Sequence, residues 1–136
     1  MDNDVVILVA EDERGHYVLT KNGLRRGGIA NDIIWLEDGQ ATLDFLQGTR
    51  GNGDGRDENK GYVLLLDIRM PKVDGVEILR RMKDDDELRD IPVVMVTTSD
   101  AQVNIDICTQ LGCSGYLVKP LDETLIETVR QVCLQV

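Results

Sequence analysis

The chain has 136 residues and a mass of 15.2 kDa, room for one domain of ordinary size and not for two. Its 25 Asp and Glu against 15 Lys and Arg give a formal charge of -10, which argues against nucleic acid or an anionic membrane as a direct partner, because both need clustered cations. No apolar run approaches the roughly 18 residues of a membrane span, the start Met1-Asp2-Asn3-Asp4 is acidic where a secretory signal is basic, and the expected location is the cytoplasm.

The elements alternate along the chain. Val5 to Ala10 is a continuous apolar run, short enough for a strand buried on both faces. Residues from about 14 to 26 come next as a helix that stops near Gly27-Gly28. Ile33-Ile34-Trp35-Leu36 is a second strand, and Gly39 to Leu46 a short helix with Leu43, Phe45 and Leu46 inward. Tyr62 to Leu66 is the third strand; Val76, Leu79 and Met82 give the next helix its stripe. Val93 to Val96 is the fourth, succeeded by a helix with Val103, Ile107 and Leu111 at helical spacing. Gly115 to Val118 is a short fifth strand, and Leu125, Ile126, Val129, Val132 and Cys133 form the inner face of a last helix.

Five β-α units with continuously apolar strands imply a parallel sheet covered on both faces, with right-handed crossovers. Closing a barrel takes about eight such units. The expected fold is therefore an open, doubly wound α/β sheet whose site lies beyond the carboxyl ends of the strands.

Three features stay outside this pattern. The stretch 48–61 (GTRGNGDGRDENKG) reads as a surface connection: it lacks the Gly-Lys-Ser/Thr of a phosphate loop, and Arg56 and Asp57 break the calcium-loop template. Asp84 to Glu87 reads as a solvated helix end. Cys108, Cys113 and Cys133 are odd in number, form no CxxC pair and have a single His for company, so they read as small buried thiols in a reducing compartment.

The residues at the strand ends are more informative. Glu11 and Asp12 come after the first strand, Asp67 with Ile68-Arg69-Met70-Pro71 after the third, Thr97-Thr98-Ser99 ends the fourth, and Lys119-Pro120 comes after the fifth. In a parallel sheet all of these meet in one crevice. Three carboxylates together repel, and a hard divalent cation such as Mg²⁺ removes the conflict. A carboxylate such as Asp67 can attack phosphorus, while the metal, Lys119 and a hydroxyl clamp the phosphoryl oxygens. Each component has a plainer explanation: an acidic pair or an Asp at a helix start, Thr-Thr-Ser as an N-cap, Lys-Pro as a turn, His16 as a half-exposed helix residue. Their joint placement at four strand ends favours the chemical reading.

Val9-Ala10-Glu11-Asp12, Leu66-Asp67-Ile68-Arg69-Met70-Pro71 with Asp74-Gly75, Val96-Thr97-Thr98-Ser99 and Tyr116-Leu117-Val118-Lys119-Pro120 closely resemble the receiver domains of two-component response regulators, over essentially the whole chain. Glu13-Arg14-Gly15-His16, Asp38-Gly39-Gln40 and the Gly-rich insertion look like the short single-domain regulators found beside phytochrome-type histidine kinases. The resemblance implies a flavodoxin-like fold with strand order 2-1-3-4-5 and no output domain. It implies that Asp67 accepts phosphate from a partner kinase's phosphohistidine, that Asp12 binds Mg²⁺ directly, Glu11 mainly through water and Arg69 by its backbone carbonyl, and that Lys119 forms an ion pair before a cis Pro120. Thr97, with Thr98 as its competitor, is the implied hydroxyl that moves toward the phosphoryl group, letting Tyr116 rotate inward.

Departures from the family pattern carry expectations too. Glu11 is longer than the usual Asp. Arg69 can screen the phosphoryl group or pair with Glu11, and Ser99 is too small to orient an attacking water, so slow dephosphorylation is expected. Signals would leave through protein contact, homodimerisation included. An aspartyl-nucleophile phosphohydrolase is the alternative, but it needs a second Asp two residues after the nucleophile, where Arg69 stands. A flavin- or nucleotide-binding protein of the same fold lacks a phosphate-cradling loop after the first strand.

Overall fold

The computed structural model describes residues 4–48 and 55–136. Its elements are β1 (Val6–Ala10), α1 (Arg14–Arg26), β2 (Ile33–Leu36), α2 (Gly39–Leu46), β3 (Tyr62–Leu66), α3 (Gly75–Lys83), β4 (Val93–Thr97), α4 (Gln102–Leu111), β5 (Gly115–Val118) and α5 (Glu123–Cys133). All strand pairs are parallel, in the order β2-β1-β3-β4-β5. The fold is thus the flavodoxin-like one. The strand order reverses between β1 and β3, where Ala10 lies opposite Leu66, and a crevice opens beyond that pair.

Alternation along the strands divides the core. Val6, Leu8, Ala10, Leu64, Leu66, Val93 and Met95 face α2, α3 and α4. Ile7, Val9, Val63, Leu65, Val94 and Val96 face the other way, against Leu24 of α1 and Leu125, Val129 and Val132 of α5. The central strands β1, β3 and β4 are buried throughout, which is why they read as unbroken apolar runs.

Two helices differ from expectation. The α3 stripe includes Ile78, fully buried beside Leu79 and Met82, while Val76 is only half-buried. In α4 Cys108 is fully buried and the expected Leu111 packs partly buried on the core, while Val103 is 62% exposed. The helix is rotated away from the Val103–Ile107 line because it covers the sheet next to the short, half-buried edge strand β5.

Residues 49–54 of the Gly-rich stretch lie outside the described residues, so its reading as a surface connection is seen only at its ends. The described end is anchored. The Arg56 N–H donates to the Phe45 carbonyl at 2.9 Å and its Nε to the Leu46 carbonyl at 2.8 Å, capping the C-terminus of α2. The Asp57 N–H donates to the Tyr62 hydroxyl at 2.8 Å. Cys108, Cys113 and Cys133 are free thiols, and burial lifts Cys108 to about 11. Among the described residues, no helix is long and apolar enough to cross a membrane.

Candidate functional site

Parallel strands end on one edge, so residues far apart in sequence meet there. Glu11 comes directly after β1 and is pinned to β2 from both sides. Its N–H donates to the Leu36 carbonyl at 3.0 Å, and its carbonyl accepts the Trp35 indole N–H at 2.6 Å. Trp35 stacks on Tyr17 with ring centroids 4.6 Å apart. Asp67 comes directly after β3, with its N–H on the Ala10 carbonyl at 3.1 Å. From the end of β5, the Lys119 N–H donates to the Thr97 carbonyl at 2.8 Å, and the Lys119–Pro120 peptide is cis.

The side chains converge. The Lys119 ammonium donates to Glu11 Oε1 and, at 3.1 Å, to Asp67 Oδ2. The other Asp67 oxygen, Oδ1, accepts the Arg69 N–H at 3.2 Å, so the carboxylate is fixed at both oxygens. Glu11 Oε2 accepts the Glu13 N–H at 3.1 Å, which places its charge at the start of α1. The same carboxylate thus serves the helix start with one oxygen and meets Lys119 with the other. Both carboxylates are buried, at 3% and 7% exposure, with one ammonium between them. Burial pushes the Glu11 carboxyl above its ordinary range; Lys119 and the Glu13 N–H pull it back, and the Asp67 charge adds to the rise.

Two negative charges against one positive leave a buried deficit that suits a further cation. Among the described residues, Glu11, His16 and Asp67 bring their ligand atoms within 4.8 Å of one another. Asp12 is not part of that group. It is exposed at the rim, in a shallow hollow shared with Arg69, Asp74 and Asn104. Arg69 is exposed and does not take up the pairing with Glu11 that its position allowed: the Glu11 carboxylate is engaged by Lys119 and lies 3.8 Å from His16.

On the β4 side, Thr97 is fully buried and its Oγ1 accepts the Ser99 N–H at 3.3 Å, while Thr98 is exposed. The Ser99 hydroxyl accepts the Asn104 amide at 2.8 Å and the Ala101 N–H at 3.4 Å. The Tyr116 hydroxyl donates to the Ser99 carbonyl at 2.8 Å, and its half-buried ring packs on the core beneath α4. Burial raises the phenol's pKa.

Sequence reasoning takes His16 as a half-exposed helix residue, which it is, but not as a neighbour of Lys119. Its Nδ1 lies 3.0 Å from Lys119 Nζ, and its Nε2 lies 3.1 Å from Glu13 Oε2. The available signal was its place in the first turn of α1, where a ring can reach back over the end of β1.

The profile of the response regulator receiver domain matches residues 7–130. A relative named "Probable methanogenesis regulatory protein FilR2", from Methanothrix harundinacea, is 37% identical over 96% of this chain and 83% of its own. Response regulator Rcp1 of Synechocystis is 34% identical over 84% of this chain and 76% of its own. The structure of the Mn(2+)-bound form of Rcp1 superposes with a TM-score of 0.77 at 32% identity, covering 93% of this chain and 90% of that one. The bacteriophytochrome response regulator AtBRR gives a TM-score of 0.80 at 32% identity over 94% and 91% of the two chains. The chain belongs to the response regulator receiver family, the phosphoacceptor proteins of two-component signal transduction.

Proposed function

We propose that, in this receiver, Asp67 accepts a phosphoryl group from a phosphohistidine on a histidine kinase and that the new charge biases a protein-interaction face. The observation that carries this reading is the Lys119 ammonium held against Oδ2 of a buried Asp67 whose Oδ1 is fixed by the Arg69 N–H. The carboxylate is oriented and its partner charge is in place, which is most of what phosphoryl transfer asks of a protein.

Glu11, Asp12, Asp67 and the Arg69 carbonyl are the residues that would hold a divalent cation. The donor set fits: hard oxygens, two of them on buried carboxylates that one ammonium does not balance. Oxygen ligation of this kind suits Mg²⁺, and the Mn(2+)-bound form of Rcp1 supports a divalent ion in the family. When bound, the ion neutralises charge on the transferring phosphoryl group. Lys119 meets a second phosphoryl oxygen and the Thr97 hydroxyl donates to a third.

The switch works through one short loop. Thr97 is hydrogen-bonded to the Ser99 N–H, and Ser99 holds the Tyr116 phenol by its carbonyl. The Tyr116 ring already lies against the core, so a pull on Thr97 acts by fixing or releasing this docked arrangement of β4, α4 and β5. The readout is contact with a downstream protein or a second copy of the chain, in the cytoplasm. The likeness to AtBRR and Rcp1 supports a phytochrome-type kinase as donor. The only reactions catalysed are the gain and loss of the chain's own phosphoryl group; Arg69, where a hydrolase of this type needs its acid, is consistent with that.

Intact-mass measurement with Mg²⁺ and acetyl phosphate, beside Asp67→Ala, tests the reading. One Mg²⁺-dependent phosphoryl adduct, absent from the variant, is expected. An equal adduct on Asp67→Ala overturns it.

A further inference from the structure

We propose that His16 is a positioning residue for the site: together with Glu11 it tethers the Lys119 ammonium so that the third N–H points at Asp67. The inference deepens the phosphoacceptor reading and rests on it for the role of Lys119.

An ammonium has three donors and no acceptor. Around Lys119 Nζ stand three acceptors: Glu11 Oε1, His16 Nδ1 at 3.0 Å and Asp67 Oδ2 at 3.1 Å. His16 accepts at Nδ1 only as the neutral tautomer that carries its proton on Nε2. On the other side of the ring, Nε2 lies 3.1 Å from Glu13 Oε2, a carboxylate oxygen compatible with a proton at Nε2. The opposite tautomer would set two donors against each other at Lys119 and a lone pair against a carboxylate at Glu13. The two contacts are therefore compatible with the same tautomer.

The consequence lies in how Lys119 is aimed. A lysine side chain has rotamer freedom to lose when it is held in one direction. Held by Glu11 alone, the ammonium can turn about that contact. Held by Glu11 and His16, it has one remaining donor direction, toward Asp67. When a phosphoryl group is on Asp67, Lys119 exchanges Oδ2 for a phosphoryl oxygen and keeps its other two partners. His16 touches neither phosphorus nor its oxygens; it acts through Lys119.

Two measurements on the full chain test this. The chain has one histidine, so the imidazole ¹⁵N spectrum contains a single ring. A protonated Nε2 with a bare Nδ1 is expected when the ring is neutral; the reverse tautomer overturns the proposal. The second is the rate of phosphorylation by acetyl phosphate with Mg²⁺. His16→Leu, which removes the acceptor, is expected to slow it about tenfold, the size of one lost charge-assisted hydrogen bond. His16→Gln, whose side-chain oxygen can accept from Lys119, is expected to recover most of the rate. Equal rates in all three proteins, or equal slowing in Leu and Gln, overturn the proposal. Failure of the phosphoacceptor reading would look different: no adduct on the wild-type chain, with the tautomer still deciding the placement of His16.

Discussion

An ideal Cβ on Gly75 would lie 2.2 Å from the carbonyl oxygen of Asp67, and the Gly75 N–H donates to the Ile68 carbonyl at 2.8 Å. Helix α3 thus begins pressed against the backbone of the candidate phosphoacceptor, with Asp74 capping it by accepting the Glu77 N–H at 3.0 Å. Only a residue without a side chain fits. Gly75→Ala must push the helix start or the Asp67 peptide aside. It is expected to cost roughly 1–3 kcal/mol by urea unfolding and to slow phosphorylation as well. An alanine variant equal to wild type in both would contradict the geometry.

The charge balance around Lys119 gives a second prediction. Glu11 and Asp67 share one ammonium, so neutralising Asp67 leaves a matched pair. Asp67→Asn is expected to raise stability by about 1 kcal/mol, measured without metal. Lys119→Met, which strands both carboxylates, is expected to lower it by about 3 kcal/mol. Mg²⁺ at about 100 times its Kd should stabilise the wild type by roughly 2.7 kcal/mol and leave Asp67→Asn unmoved. Trp35, the single tryptophan, bonds the Glu11 carbonyl, and its fluorescence offers the titration signal.

Much of this arrangement is legible in the sequence. β1, β3 and β4 are buried on both faces, so their residues had to be continuously apolar, and a parallel sheet then fixes where Glu11, Asp67, Thr97 and Lys119 meet. α4 is harder, because Val103, Ile107 and Cys108 offer two overlapping stripes about 100° apart. Only packing beside the edge strand decides between them. Arg56 reads as part of a polar loop, since its guanidinium gains meaning only from the C-terminus of α2. His16 is hidden for a similar reason: its role depends on which way the ring turns, and spacing does not encode that.

Asp38 caps α2, accepting the Ala41 N–H at 2.7 Å. That bond, helped by Lys72 and opposed by burial, lowers its pKa below the unfolded value of 3.8. A lowered carboxyl pKa means the folded chain holds the proton less tightly, so the cap's contribution is complete above the unfolded value and fades as pH falls through the folded pKa. Asp38→Ala is expected to cost about 1 kcal/mol at neutral pH. The gap from wild type should shrink in acid unfolding series below pH 3.8. A gap that widens in acid would contradict the cap.

Dephosphorylation should be slow. An attacking water needs a group to orient it beside the phosphoryl, and the Ser99 hydroxyl is already engaged by Asn104 and the Ala101 N–H. Arg69 stands exposed over the neighbouring hollow and can shield the group. With the intact mass monitored after the phosphodonor is removed, we expect the adduct to persist for many minutes. Loss within seconds would refute these roles for Ser99 and Arg69.

Asp67 itself is expected to carry the phosphoryl group, and everything proposed for Lys119, Thr97 and Tyr116 depends on it. Borohydride reduction of the phosphorylated chain converts an aspartyl phosphate to homoserine, which peptide sequencing by mass spectrometry locates directly. Homoserine is predicted at position 67, formed only when Mg²⁺ and the phosphodonor were both present. Homoserine at position 12 or elsewhere, with residue 67 still aspartate, would contradict it.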